Sequence, residues 1–199
     1  MILQRKGYRL RKIENRKWRR ESGQIGWLTG YFFLLFLAII LCSRLQLDVY
    51  RATALYLEDA LAASNLASAI IDVEEYGMTH TILIENPIEA YGKFCTAVQG
   101  NLQLNDNWEC ENKELIAGTV NIVNYTVYNV ENELVKVYEV KRDGHIREWA
   151  GVLGEVAAPN GIAIEATSIY SEIAFPVKGL GGITLEAHKG KLVDIVGNT

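Results

Sequence analysis

The side chains best suited to proton transfer or metal binding are three histidines, His80, His145 and His188, and they stand far apart in the chain. None has a companion ligand at the short spacing that a metal site uses. His188 lies beside Glu186 and Lys189 on a segment that reads as a strand. Alternate residues share a face there, so a solvated strand face accounts for it. Glu74-Glu75 and the group Glu109, Glu111, Glu114 are acidic clusters. Surface solvation accounts for these too, with weak calcium binding as the alternative. The GLGG run at 179–182 has no lysine or serine behind it in the frame of a phosphate loop. Asn124-Tyr125-Thr126 is a glycosylation sequon by spelling only. No nucleophile stands with a base. The expectation is a protein with no catalytic, metal or cofactor-binding residues, not an enzyme.

The three cysteines are Cys42, Cys95 and Cys110. Cys42 falls in an apolar run and reads as a small apolar packer. Leu41 is too large for the position before a lipidated cysteine. Cys95 and Cys110 both fall in the part expected to face an oxidising exterior, where they are candidates to pair. Closing that loop would stabilise the fold by roughly 3 kcal/mol if geometry permits.

These residues hang on an unusual frame. Residues 23–43 read GQIGWLTGYFFLLFLAIILCS, and Gln24 to Ser43 carries no charge. As a helix this stretch is roughly 30 Å long, the thickness of a bilayer hydrocarbon core. A helix buried in a soluble core would keep a polar side, and this one has none. Residues 1–20 hold nine basic side chains and one acid, Glu14. The rest of the chain holds 11 basic and 23 acidic residues, so the net charge of −4 hides a strong asymmetry. Basic flanks stay on the cytoplasmic side, which puts the N-terminus inside and residues from about 44 onward outside. A short basic arm without a folded basic domain offers little to a nucleic-acid groove. Its expected partner is anionic lipid, not nucleic acid. The end of the apolar run, IILCSRLQLD, lacks the A-x-A-like site of a removable signal.

The helical pattern continues past the apolar run. Leu47, Tyr50, Ala54, Leu57 and Leu61 recur at threes and fours, and Leu66, Ile70 and Val73 follow with a small shift. With Gly77 as the terminating residue, one helix of about 50 residues, roughly 75 Å, is expected. Its outer half is rich in Ala and Ser at 60–69. Small side chains there suit packing against the chain's own head or between subunits, and the two can coexist. A short strand is expected at His80–Glu85. Asn86-Pro87 then opens a second helix, with Glu89 placed as in a capping box and Ile88, Tyr91, Cys95 and Val98 as its apolar stripe. Gly100-Asn101 ends it, and NDNWECENKE reads as a polar loop. From Gly118 the pattern turns to β, with strands around 123–127, Leu134–Val140, His145–Ala150, 162–166, Ile173–Val177 and Ile183–Val196. Asn129–Glu133, Asp143-Gly144 and Pro159-Asn160-Gly161 mark the turns. Consecutive strands with tight turns favour an antiparallel meander. The fold class is α+β: a basic leader at 1–22, a transmembrane helix at 23–43, its extracellular continuation at 44–77, and an α/β head at 78–199.

Arg19-Arg20-Glu21-Ser22-Gly23 before the apolar run, the helix RLQLDVYRATALYLEDALAASNLAS, and the closing SIYSEIAFPVKGLGGITLEAHKGKLVDI together resemble the TadE/TadG-like pseudopilins of tight-adherence (Tad) pilus systems, a type IV pilin-like family. The resemblance covers the first 75 residues and the last 30 or so; residues 76–160 match nothing known to us. It implies a structural role in a pilus or related secretion apparatus. The partners would be other pilin-like subunits, assembly proteins, and a prepilin peptidase that cuts after a glycine. Gly23, followed by Gln24, is the first candidate for that cut and Gly26 the second. Many members keep a glutamate five residues after the cut, and Leu28 stands there if the cut follows Gly23. An anchored accessory that is not cut is therefore the other form of the same expectation. Leu47, Tyr50, Leu57 and Leu61 would pack the helix, and Arg51, Glu58 and Asp59 would make contacts to the head or between subunits. The alternative from another class is a ligand-binding ectodomain on a single-pass anchor, which a pocket lined by Tyr125, Tyr128, Tyr138 and Trp149 would favour.

Overall fold

The computed structural model describes residues 3–111, 113, 116–179 and 183–195, with side chains from residue 26 onward. The chain divides into two units, Met1–Arg51 and Ala52–Thr199. Helix α1, Leu3–Ser68, supplies the described part of the first unit and opens the second. It begins within the expected leader, so 1–22 is not set apart from the apolar run by secondary structure. Leucine, arginine, lysine and glutamate there are good helix formers, and no proline occurs before Pro87.

The helix ends at Ser68, short of the expected Gly77. Two local features stop it. Ile71 makes a bridge to Ile84, and the Asp72 carboxylate accepts from the Glu75 amide at 2.9 Å, starting a new helix. That helix, α2, is Val73–Thr79, and it closes on His80 in the left-handed region at φ 59. Gly77 lies inside it. The expected strand at His80–Glu85 reduces to the single Ile71–Ile84 bridge. In place of a strand partner, Asn129 accepts from the Ile84 amide at 2.9 Å and donates to the Ile84 carbonyl at 3.0 Å. Helix α3, Pro87–Asn101, starts as expected, with the Asn86 side chain accepting from Ile88 and Glu89. Glu89 does not reach back to complete the box; it lies 3.4 Å from Lys93. The buried line of α3 is Ala90, Phe94 and Val98. The expected stripe is rotated: Ile88 is exposed, and Tyr91 and Cys95 are half-buried.

Five strands follow: β1 Asn121–Glu131, β2 Leu134–Val140, β3 Ile146–Val152, β4 Ser168–Lys178 and β5 Thr184–Asp194. They form one antiparallel sheet in the order β3-β2-β1-β4-β5. This is not a simple meander. The connection 153–167 carries the chain back so that β4 lies beside β1, the spatial order of a Greek key. The expected alternation at 162–166 falls in this connection and contributes one bridge, Ala157–Ala163.

The connection also explains why β1 is buried on both faces. One core holds Leu57 and Leu61 of α1, Phe94 and Val98 of α3, and Tyr125, Val127, Ile169 and Ile173 of the sheet. A second core on the opposite face holds Tyr128, Val135, Val137 and Tyr170 beneath Ala158 and Ile164 of the connection. Fully burying a side chain such as Phe94 contributes about 1.5–3 kcal/mol. The polar stretch before β1 is ordered by the Asn105 side chain, which accepts from the amides of Asn107 and Glu109 at 2.9 and 3.0 Å. This turn folds Trp108 and Cys110 against the first core.

Candidate functional site

Two surfaces of α1 carry the functional argument, and they are opposite in character. Along residues 26–41 the side chains are exposed, including Phe32, Phe33, Leu34, Phe36 and Ile39, with Trp27 at 75%. The helix that carries this run, over Gly26–Ser68, is long and apolar enough to cross a membrane. The hydroxyl of Ser43 donates to the Ile39 carbonyl at 2.8 Å, so its polarity is satisfied within the helix. Trp27 stacks on Tyr31 with ring centroids 6.3 Å apart, the type of aromatic pair that favours a lipid–water interface.

From residue 53 the helix is seated in the head. Thr53, Leu57, Ala60, Leu61, Ser64, Asn65 and Ser68 are buried, a face with helical spacing. The small residues at 60, 64 and 68 let neighbouring chain approach, and polar ties fill the seam. The Asn65 amide donates to the carbonyls of Ile169 at 3.3 Å and Lys191 at 3.0 Å, in β4 and β5. Ser68 and the Tyr125 hydroxyl are hydrogen-bonded at 2.9 Å. Asn101, at the end of α3, donates to Ser64 at 2.9 Å and receives the Tyr56 hydroxyl on its carbonyl at 2.6 Å. At the rim Glu58 accepts from Lys189 at 2.7 Å and Lys191 at 2.8 Å. Those two hydrogen bonds, with the lysine charges, hold its carboxyl down at about 2. Burial pushes the Tyr125 phenol above its ordinary value, so that buried hydroxyl stays neutral.

The expected packing stripe is thus divided. Leu57 and Leu61 are buried, while Leu47 is 47% exposed and Tyr50 accepts from the Gln46 side chain at 2.9 Å. Arg51 pairs with Asp48 at 3.8 Å, both exposed. Glu58 is engaged by the head, and Asp59 is exposed. Gly23 and Gln24 fall within α1, and a side chain at Gly26 would meet nothing within 4 Å. Sequence reasoning missed Asn65, Ser68, Asn101 and the Lys189/Lys191 pair. The only signal was the polar interruption of an otherwise Ala-rich helix at 64, 65 and 68.

The expected pairing of Cys95 with Cys110 is not formed; both are free thiols. Cys110 is folded back over the C-terminal cap of α3, its thiol on the Leu102 carbonyl at 3.5 Å. Leu102 lies about 10 Å further along the helix than Cys95, beyond the reach of a disulfide. Burial raises the Cys95 thiol, with a hydrogen bond to Tyr91 working against it, which lowers its share of nucleophilic thiolate.

The four aromatics do not share a pocket. Tyr125 and Tyr128 are buried in different cores, Tyr138 borders the first, and Trp149 is exposed on β3. A hollow of about 470 Å³ is a shallow surface groove along Ala67, Glu89, Gly92, Lys93, Thr96 and Ala97. His188 is more engaged than a solvated strand face implies: its ring lies 3.0 Å from Glu172 and 3.5 Å from Glu186. His145 is an exposed turn residue, and His80 sits edge-on to Tyr76. Glu74 and Glu75 occupy the first turn of α2, where negative charge is favoured. Glu114 and 180–182 of the Gly-rich run lie outside the described residues. No group of three candidate ligands that could hold a metal ion occurs among the described residues. Comparison of the chain with protein-family models, with curated proteins and with solved structures gives no match.

Proposed function

We propose that the chain is a non-enzymatic, single-pass membrane protein of pilin-like design, with its N-terminus in the cytoplasm and its head outside. It serves as a subunit or an accessory of a Tad-type pilus or a related surface or secretion apparatus. The observation that carries this reading is α1 itself. One unbroken helix has an apolar, exposed stretch at 26–41 and a face seated in the head at 53–68. The nine basic residues of the first 20 support the orientation. The partners are the bilayer, other pilin-like subunits, assembly proteins and a prepilin peptidase. Because Leu57, Leu61 and Glu58 are used by the head, contacts with neighbouring subunits fall to the other side of the helix, where Leu55 and Leu66 are exposed.

The test is the N-terminal mass of the protein purified from its native membrane. A chain beginning at Gln24 or Trp27 is the result expected of a processed subunit. A chain that keeps its basic residues identifies a permanently anchored accessory. Recovery in the soluble fraction, with no pilus component co-purifying, would overturn both forms.

A further inference from the structure

The two edges of the sheet are treated differently. The β5 edge carries Glu186, His188, Lys189, Lys191 and Asp194, and α1 is tied to it through Glu58 and Asn65. Charge and cover of this kind keep an edge from pairing with other strands. The β3 edge has no proline or bulge. Its seven residues, IREWAGV, pair with β2 in an unbroken register. Ile146, Trp149 and Val152 are exposed at 38%, 40% and 51%.

The backbone direction of this edge follows from the ladder. The amide of Leu153 donates to the Glu133 carbonyl, and that of Lys141 to the His145 carbonyl. In an antiparallel ladder such pairs recur at every second residue, so Arg147, Trp149 and Gly151 turn their backbone groups toward β2. Ile146, Glu148 and Ala150 turn theirs outward, as does the Val152 amide, while the Val152 carbonyl accepts from the amides of Glu155 and Val156 at 3.1 and 3.2 Å.

We propose that β3 pairs antiparallel with β3 of a second copy of this chain, about a two-fold axis through Trp149, to make one continuous sheet. The reason is the self-complementarity of this register. It places Ile146 opposite the partner's Val152 and Glu148 opposite the partner's Ala150, so every outward-turned backbone group meets an outward-turned one except the Ile146 amide, which faces the Val152 carbonyl already engaged by Glu155 and Val156. The opposed side chains are apolar on apolar, or a charge beside a methyl. Arg147 falls opposite the partner's Gly151, and its guanidinium is held 5.3 Å from the centroid of its own Trp149 ring. The two Trp149 side chains meet at a non-hydrogen-bonded pair, the position where cross-strand side chains come closest and aromatic pairs stabilise a sheet. Moving the axis one residue back, to Glu148, sets two glutamates directly opposite, which is unfavourable. Moving it forward, to Ala150, leaves Ile146 and Arg147 beyond the end of the partner strand. This pairing concerns the head and goes beyond the pilin-like reading.

The full chain, purified in detergent with Cys42→Ser to remove an exposed thiol, gives the test. At the proposed axis the two Cα atoms of residue 149 lie about 4.5 Å apart, within disulfide range. Those of residue 148 are diagonal at roughly 7–8 Å. Trp149→Cys is expected to give a covalent dimer on mild oxidation, and Glu148→Cys is not. Independently, Ala150→Pro removes an outward N–H while leaving the β2 ladder whole. It is expected to weaken dimerisation roughly thirty-fold with an unchanged circular dichroism spectrum. Equal cross-linking at 148 and 149 would overturn the register. A dimer indifferent to Ala150→Pro would place the contact elsewhere and overturn the proposal. A monomer that never cross-links at 149 would do the same, and would leave the edge to a strand of another protein.

Discussion

Glu58 and Asn129 are the residues on which single side chains do most. Glu58 has its carboxyl held at about 2, against an ordinary value of 4.5, by Lys189 and Lys191. A carboxyl depressed by folding contributes stability that is full above its unfolded value and is lost as pH falls through its folded one. Glu58→Gln is therefore expected to lower stability at pH 7 and to flatten the acid-unfolding curve between about pH 4.5 and pH 2, read by denaturant melts across that range. Asn129 is buried and satisfies both backbone groups of Ile84. Asn129→Ala leaves a buried donor and acceptor unpaired and is expected to cost about 3 kcal/mol in the denaturant midpoint. The sequence pointed to Glu58 as a contact with the head or another subunit, and its contact is with the head; its partners, 131 and 133 residues away, were not legible. Nothing in the local spelling of Asn129, read as the start of a turn, says that it faces a chain 45 residues upstream.

At the scale of elements, the sequence was most legible where local chemistry decides. Asn86-Pro87 placed the start of α3, and β2 runs over the expected Leu134–Val140. Asp143-Gly144 and Pro159-Asn160-Gly161 are turns, with Gly144 and Gly161 at φ 81 and 83. Errors arose where distant packing decides. Helical spacing runs on to Gly77, yet the pairing of Ile71 with Ile84 and the capping Asp72 break the helix at Ser68. The return of β4 to the side of β1 cannot be read from turn spelling, because local turns specify hairpins and not a crossover. The pairing of β4 and β5 also contains a tight fit: a Cβ built on Gly190 collides with the Tyr170 ring. Gly190→Ala is expected to cost about 1–3 kcal/mol by overpacking, and Tyr170→Ala in the same chain should recover part of that loss in thermal melts.

For the molecule as a whole, the apolar length of α1 dominates behaviour. Leu35 stands near the middle of the exposed apolar run. A charge at the centre of a spanning helix costs about 2.5–3.5 kcal/mol in insertion. Leu35→Arg is expected to shift the protein out of the carbonate-resistant membrane fraction, while the head keeps its β-sheet spectrum because residue 35 lies outside the unit Ala52–Thr199. An unchanged membrane fraction would mean that the run does not span. The order of the strands also sets a timetable for synthesis. Helix α1 and strands β1 to β3 leave the ribosome first, and β1–β2 and β2–β3 close as local hairpins. The seat of α1 is still unfinished then: Ile169, Ile173, Lys189 and Lys191 belong to β4 and β5. Until those strands emerge, Leu57 and Leu61 have only α3 and β1 of their core beside them, and the rest of their apolar face is open to chaperones and proteases. A nascent chain arrested after β3 should therefore be degraded quickly, and one arrested after β5 should persist.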